Sequence, residues 1–121
     1  TVMNGSELIF EEKVFIRACN KIQEECYQIA KDKGWYKNSI NVGELLSLIY
    51  GEVGELLETL RQIEPPQGEH IKELWGAEEE AADIIIRVLS LGGLRGWRIG
   101  EAIVAKMNYN KTRAVRHNKR F

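Results

Sequence analysis

Leu45-Leu46-Ser47-Leu48-Ile49-Tyr50-Gly51-Glu52-Val53-Gly54-Glu55-Leu56 carries one periodicity. Its apolar residues return after three and four positions rather than after two. At ~100° per residue, Leu45, Leu48, Ile49 and Leu56 therefore share one side of a helix. Glu52 falls in the middle of that stripe and Glu55 at its border. A second stretch repeats the arrangement: Glu80 lies beside Ala77, Ile84, Val88 and Leu91, and Asp83 flanks it in the same sense. A carboxylate in an apolar stripe is costly without a compensating charge. Four of them facing one core point to a divalent cation.

Outward from these two stretches, strand signals are nearly absent, and Gly and Pro gather at a few breaks. The pattern predicts four helices. The first covers about Ser6 to Lys33, with Phe10, Val14, Ala18, Ile22, Cys26 and Ile29 as its inward row and Gly34 as its stop. After a loop from Trp35 to Ile40, Asn41 with Glu44 three residues on forms a capping-box pattern. The helix it opens carries Leu45 to Gln62 and ends at Pro65-Pro66. A turn through Gln67, Gly68 and His70 leads to the third helix, about Leu74 to Leu91, closed by Gly92-Gly93. The fourth, about Ile99 to Thr112, turns Ile103, Val104 and Met107 inward and leads into a basic tail from about residue 113.

The expected fold class is all-α, a four-helix-bundle-type subunit that oligomerises. Ile84-Ile85-Ile86 with Val88 and Leu89 covers more than one face, which predicts burial against both its own bundle and another subunit. Trp75 and Trp97 are expected in the core or at that interface. A length of 121 residues suits one domain.

The formal net charge is only −1, yet the charges are segregated. From Ala102 to Phe121 there is no acidic residue, whereas Lys106, Lys111, Arg113, Arg116, Lys119 and Arg120 fall there. Acid in the middle and base at the end suit a metal and a polyanion. On charge alone the basic end is also a solvated or nonspecific nucleic-acid-binding tail. The near-neutral total and the lack of interleaved aromatics from Lys111 to Arg120 argue against a nucleic-acid polymer as partner. Cys19 and Cys26, seven residues apart on one helix, would stand ~10 Å apart, too far to bridge each other. Reduced thiols and a cytoplasmic setting follow. No apolar run approaches the ~20 residues of a membrane span.

Carboxylates three apart lie on the same side of a helix, so each acidic motif offers a converging pair of oxygens. An oxygen-only site selects Mg2+ or Mn2+ over zinc. A di-iron centre is disfavoured, because it uses Glu-x-x-His, and neither His70 nor His117 has a Glu three residues before it. Glu78 and Glu79, on the same helix, point elsewhere and are expected in solvent or supporting the cluster. Lys106 and Asn110, four apart, with Arg113 a turn further on, form either a surface stripe or the cationic counterpart of a phosphate site. Trp35 either stacks on a base or, with Tyr36, plugs the bundle end. Asn38 is a candidate for the base edge.

Three runs carry a resemblance: Gly51-Glu52-Val53-Gly54-Glu55-Leu56-Leu57-Glu58, then Glu80-Ala81-Ala82-Asp83-Ile84-Ile85-Ile86-Arg87, then Lys106-Met107-Asn108-Tyr109-Asn110-Lys111-Thr112-Arg113. In order and separation they resemble the MazG-like all-α nucleoside triphosphate pyrophosphohydrolases, over roughly residues 34–121. The resemblance implies Mg2+ (or Mn2+) as cofactor and hydrolysis of standard or modified (d)NTPs to a nucleoside monophosphate and pyrophosphate, a house-cleaning role in nucleotide metabolism. It also implies a homo-oligomer, dimer or tetramer. Glu52, Glu55, Glu80 and Asp83 would ligate the metal and form the catalytic centre, with Glu52 or Glu55 as general base. Lys106 and Asn110 would contact phosphate or the ligand's polar edge. Ala114 departs from the pattern, standing where many relatives have Pro. The competing reading is a noncatalytic helical interaction module, but such a module gains nothing from Glu52 inside its apolar stripe.

Overall fold

The computed structural model describes residues 7–38, 41–64 and 66–113. Among them are four helices in the expected order, α1 (Phe10–Asp32), α2 (Val42–Arg61), α3 (Gly76–Arg95) and α4 (Ile99–Thr112). The described residues contain no strand, only an antiparallel bridge between Gln67 and Trp75. The chain is all-α. The described residues fall into two compact units, one of residues 22–97 and one combining the start of the chain to Lys21 with the stretch from Arg98 onward. Ser6, Ile40, Pro65, Ala114 and the rest of the basic tail lie outside the described residues.

In the larger unit α2 packs along α3. Asn41 caps α2, its Oδ1 accepting the Glu44 N–H at 3.3 Å. α3 begins two residues later than the apolar pattern predicts. Trp75 is held in the bridge to Gln67, and its N–H donates to the Glu78 carboxylate at 2.8 Å. α3 also runs through Gly92-Gly93 instead of stopping there. Gly93 lies directly against Tyr27 of α1, where any side chain would collide with the tyrosine Cβ. Gly96 is the actual terminus, at φ 69°, a left-handed conformation that glycine adopts at little cost.

The inward row of α1 is not the expected one. Phe10 is 74% and Ile29 60% exposed, and Val14, Ala18 and Ile22 are exposed as well, with Cys26 half-buried. In the larger unit Gln23 and Ala30 are buried instead, a face one residue on and so rotated by ~100°. Gln23 is drawn in by a backbone acceptor, donating from Nε2 to the Trp97 carbonyl at 2.8 Å. In the smaller unit Val104 is buried, but Ile103 and Met107 are exposed. Trp75 and Trp97 are also exposed rather than buried in the core. No residue of α2 is fully buried, and Leu46, Tyr50, Val53, Leu57 and Leu60 are all exposed.

Candidate metal centre

The packing of α2 on α3 brings the two acidic motifs together. Carboxylate oxygens of Glu52, Glu80 and Asp83 lie within 4.8 Å of one another. The helical register does this: Glu52 shares a half-buried side with Leu45, Ile49 and Leu56, and Glu80 shares one with Ala77, Ile84 and Val88. Leu48, assigned to the first stripe, is exposed instead. Asp83 and Glu55 stand on the exposed margin. Glu55 is outside the converging triad, yet its side chain hydrogen-bonds with Glu80.

Two carboxyl groups can hydrogen-bond only if one is protonated. Glu80 is the group that keeps the proton, its pKa pushed up to about 7. Burial contributes most, followed by the bond to Glu55 and the repulsion of Glu55, Asp83 and Glu52. Its Oε2 is buried with no hydrogen-bond partner in the protein. Asp83 is also raised, first by burial and then by Glu52, while Arg87 and His70 oppose the shift. A converging oxygen-only donor set, one orphaned buried oxygen and a carboxyl that burial, the bond to Glu55 and repulsion keep protonated fit a hard divalent cation.

The structure adds residues to which the periodicity assigns no role. Arg87 lies one turn beyond Asp83 and donates from Nε to Glu52 Oε1 at 2.8 Å, with both side chains largely buried. Its guanidinium also sits 5.2 Å from the centre of the Trp35 ring. The spacing from Asp83 carries the signal for it, since a cation four residues on shares the helix face.

Glu79 corrects the expectation of a solvated control. It is buried, accepting the backbone N–H of Ile71 at 2.8 Å and that of His70 at 3.1 Å. Gly68 lies so close beneath its carboxylate that a Cβ there would strike it. Glu79 thus ties the loop before α3 to that helix's first turn. Glu78 is exposed, as expected.

Trp35 is half exposed. Tyr36, its neighbour, stacks on Tyr27 at 5.7 Å and shares a 2.5 Å hydrogen bond with Ser90 of α3. Asn38 is exposed. Lys106, Asn110 and Arg113 belong to the smaller unit, all exposed, and both cations lie over the Tyr109 ring, at 5.1 and 5.9 Å. Compared with known proteins, the chain matches no family model, no curated protein and no solved structure.

Proposed function

We propose that the protein is a Mg2+-dependent (or Mn2+-dependent) nucleoside triphosphate pyrophosphohydrolase of the MazG-like kind. The observation that supports it most is the convergence of Glu52, Glu80 and Asp83, with Glu55 bonded to Glu80 and the Glu80 carboxyl holding its proton up to about pH 7. In this reading Glu52, Glu55, Glu80 and Asp83 hold the metal. The bound cation neutralises phosphate charge and makes a water more acidic.

The chain's own residues do the rest. Glu80, which holds a proton up to about pH 7, is the carboxyl that would have to lose one to serve as a ligand. Glu52, fixed by Arg87, is a poor base, because the guanidinium already engages its oxygen. Glu55, on the exposed margin, is the base that takes the proton of the attacking water. The water oxygen bonds to the α-phosphorus, the bond from that phosphorus to the α,β-bridging oxygen breaks, and pyrophosphate leaves. The phosphate-contact roles of Lys106, Asn110 and Arg113, and a base-stacking role for Trp35, belong to the same proposal.

The test is product identity. With a panel of standard and modified nucleoside triphosphates and Mg2+, phosphorus NMR is expected to show monophosphate and pyrophosphate as first products. Orthophosphate as the first product would refute the assignment.

The exposed apolar row of α2, with Ile63 beyond it and Ile85 and Ile86 exposed on α3, supports self-association, since exposed apolar surface in such a row often marks an interface. The protein is accordingly a homo-oligomer, dimer or tetramer, in this proposal. Light scattering at micromolar concentration is expected to give at least twice the chain mass, and a stable, active monomer would overturn this part. No helix among the described residues is long and apolar enough to cross a membrane. Cys19 and Cys26, not bridged to each other, suit the proposed cytoplasmic setting.

A further inference from the structure

We propose that Arg87 couples the carboxylate cluster to Trp35, so that a divalent cation at Glu52, Glu80 and Asp83 uncovers the Trp35 ring for a planar ligand. This rests on the metal reading above and adds to it a positioning residue that links two parts of the site.

One guanidinium serves two places. Its Nε donates to Glu52 at 2.8 Å, and its Cζ lies over the Trp35 ring, 5.2 Å from the centroid. The first contact is a charge-assisted hydrogen bond and the second a cation–π contact. Because the guanidinium is rigid, its Nε cannot leave Glu52 without its Cζ moving relative to Trp35. Trp35 is half exposed, so what a cation can uncover is the part of the ring that lies beneath Arg87. Trp35, Tyr36, Ile49, Arg87 and Ser90 help to line a small cavity of about 10 Å3, the room of roughly one water. Tyr36 is itself fastened by Ser90 and Tyr27. Arg87 is therefore the movable wall.

A cation at the cluster acts on that wall twice. It draws the Glu52 charge away from Arg87, and it repels the guanidinium directly. Both effects loosen Arg87 from the ring. Linkage makes the coupling reciprocal: a planar ligand that displaces Arg87 from Trp35 frees Glu52 for the cation and raises its affinity.

The experiment uses Trp35 as the only tryptophan, in a Trp75→Phe, Trp97→Phe background, with Mg2+ as the ligand and acrylamide as a neutral quencher. Mg2+ binding is followed independently by calorimetry. The quenching constant is expected to rise as the part of the ring beneath Arg87 is uncovered, saturating together with the calorimetric heat. In Arg87→Gln the rise is lost, while Mg2+ binds several-fold more tightly because a repelling charge is gone. If the tryptophan background does not fold, the difference between the wild type and Trp35→Phe gives the same readout. If Arg87→Gln does not fold, Arg87→Lys, charged but without the plane, should bind Mg2+ with a diminished rise. Mg2+ heat without a change at Trp35, or a rise that persists undiminished in the Arg87 variant, overturns the coupling and leaves the metal reading standing. Absence of Mg2+ heat in both proteins overturns the metal reading and the coupling with it.

Discussion

Replacing Glu52 with Gln is expected to slow pyrophosphate release on the order of 100- to 1000-fold, the loss that corresponds to several kcal/mol of charge stabilisation supplied through a metal site. The same change destabilises the metal-free protein. Periodicity alone predicts the opposite, because four acids around one point repel and removing one should bring relief. The structure reverses that sign. Glu52 is the cluster member that Arg87 hydrogen-bonds, and Glu52→Gln would leave the largely buried Arg87 with a neutral partner in place of a charged one. Loss of a charge-assisted bond costs about 1–2 kcal/mol. Steady-state kinetics and a denaturant midpoint check the two parts. Undiminished pyrophosphate release would remove Glu52 from the machinery.

The metal-free protein is expected to become less stable as pH rises from about 5 to about 8. Glu80 has a folded pKa of about 7 against an ordinary 4.5. Between those values the native state binds more protons than the unfolded state, so stability falls with rising pH. Asp83, also raised, adds a slope of the same sign. Glu12 works the other way: its bonds to Asn108 and the Ile9 N–H lower its pKa, so its contribution is lost only as the medium becomes more acidic than pH 4.5. Mg2+ at 100 times its Kd adds about 2.7 kcal/mol, on the order of 10 °C in Tm for a domain of this size. Glu80→Gln imitates the protonated carboxyl and can donate to Glu55 as it does. It should flatten the pH slope, hold Tm at pH 8 near the wild-type value at pH 5, and shrink the Mg2+ shift. A wild-type Tm that is flat or rising over this window would contradict the assignment of the proton to Glu80.

The helices and the acidic cluster were legible because both rest on local spacing. Glu52 beside Ile49 and Leu56, and Glu80 beside Ile84 and Val88, are consequences of 3.6 residues per turn. Faces that depend on a partner element were not legible. Periodicity cannot distinguish the Ile22, Cys26, Ile29 side of α1 from the Gln23, Tyr27, Ala30 side, since both have helical spacing, and hydrophobicity favours the wrong one. Gln23 is chosen by the Trp97 carbonyl, which is far away in the sequence. Gly92-Gly93 reads as a stop until Tyr27 is seen to need the space. Glu79 reads as solvated because its partners are backbone N–H groups, which no side-chain pattern reveals. Arg87 was visible as a residue, but its role required knowing that α2 sets Glu52 across from it and that Trp35 returns to cover it.

Calorimetry of Mg2+ binding near pH 7, repeated in buffers of different ionisation enthalpy, measures the protons released as the cation enters. A ligand carboxyl must lose its proton to bind metal. With Glu80 half protonated near pH 7, release of roughly half a proton per cation is expected there, more at pH 6, and almost none above pH 8.5. In Glu80→Gln the binding is weaker and the release disappears. Mg2+ binding with no proton release between pH 6 and 7, or release unaltered in Glu80→Gln, would place the cation somewhere other than among Glu52, Glu55, Glu80 and Asp83.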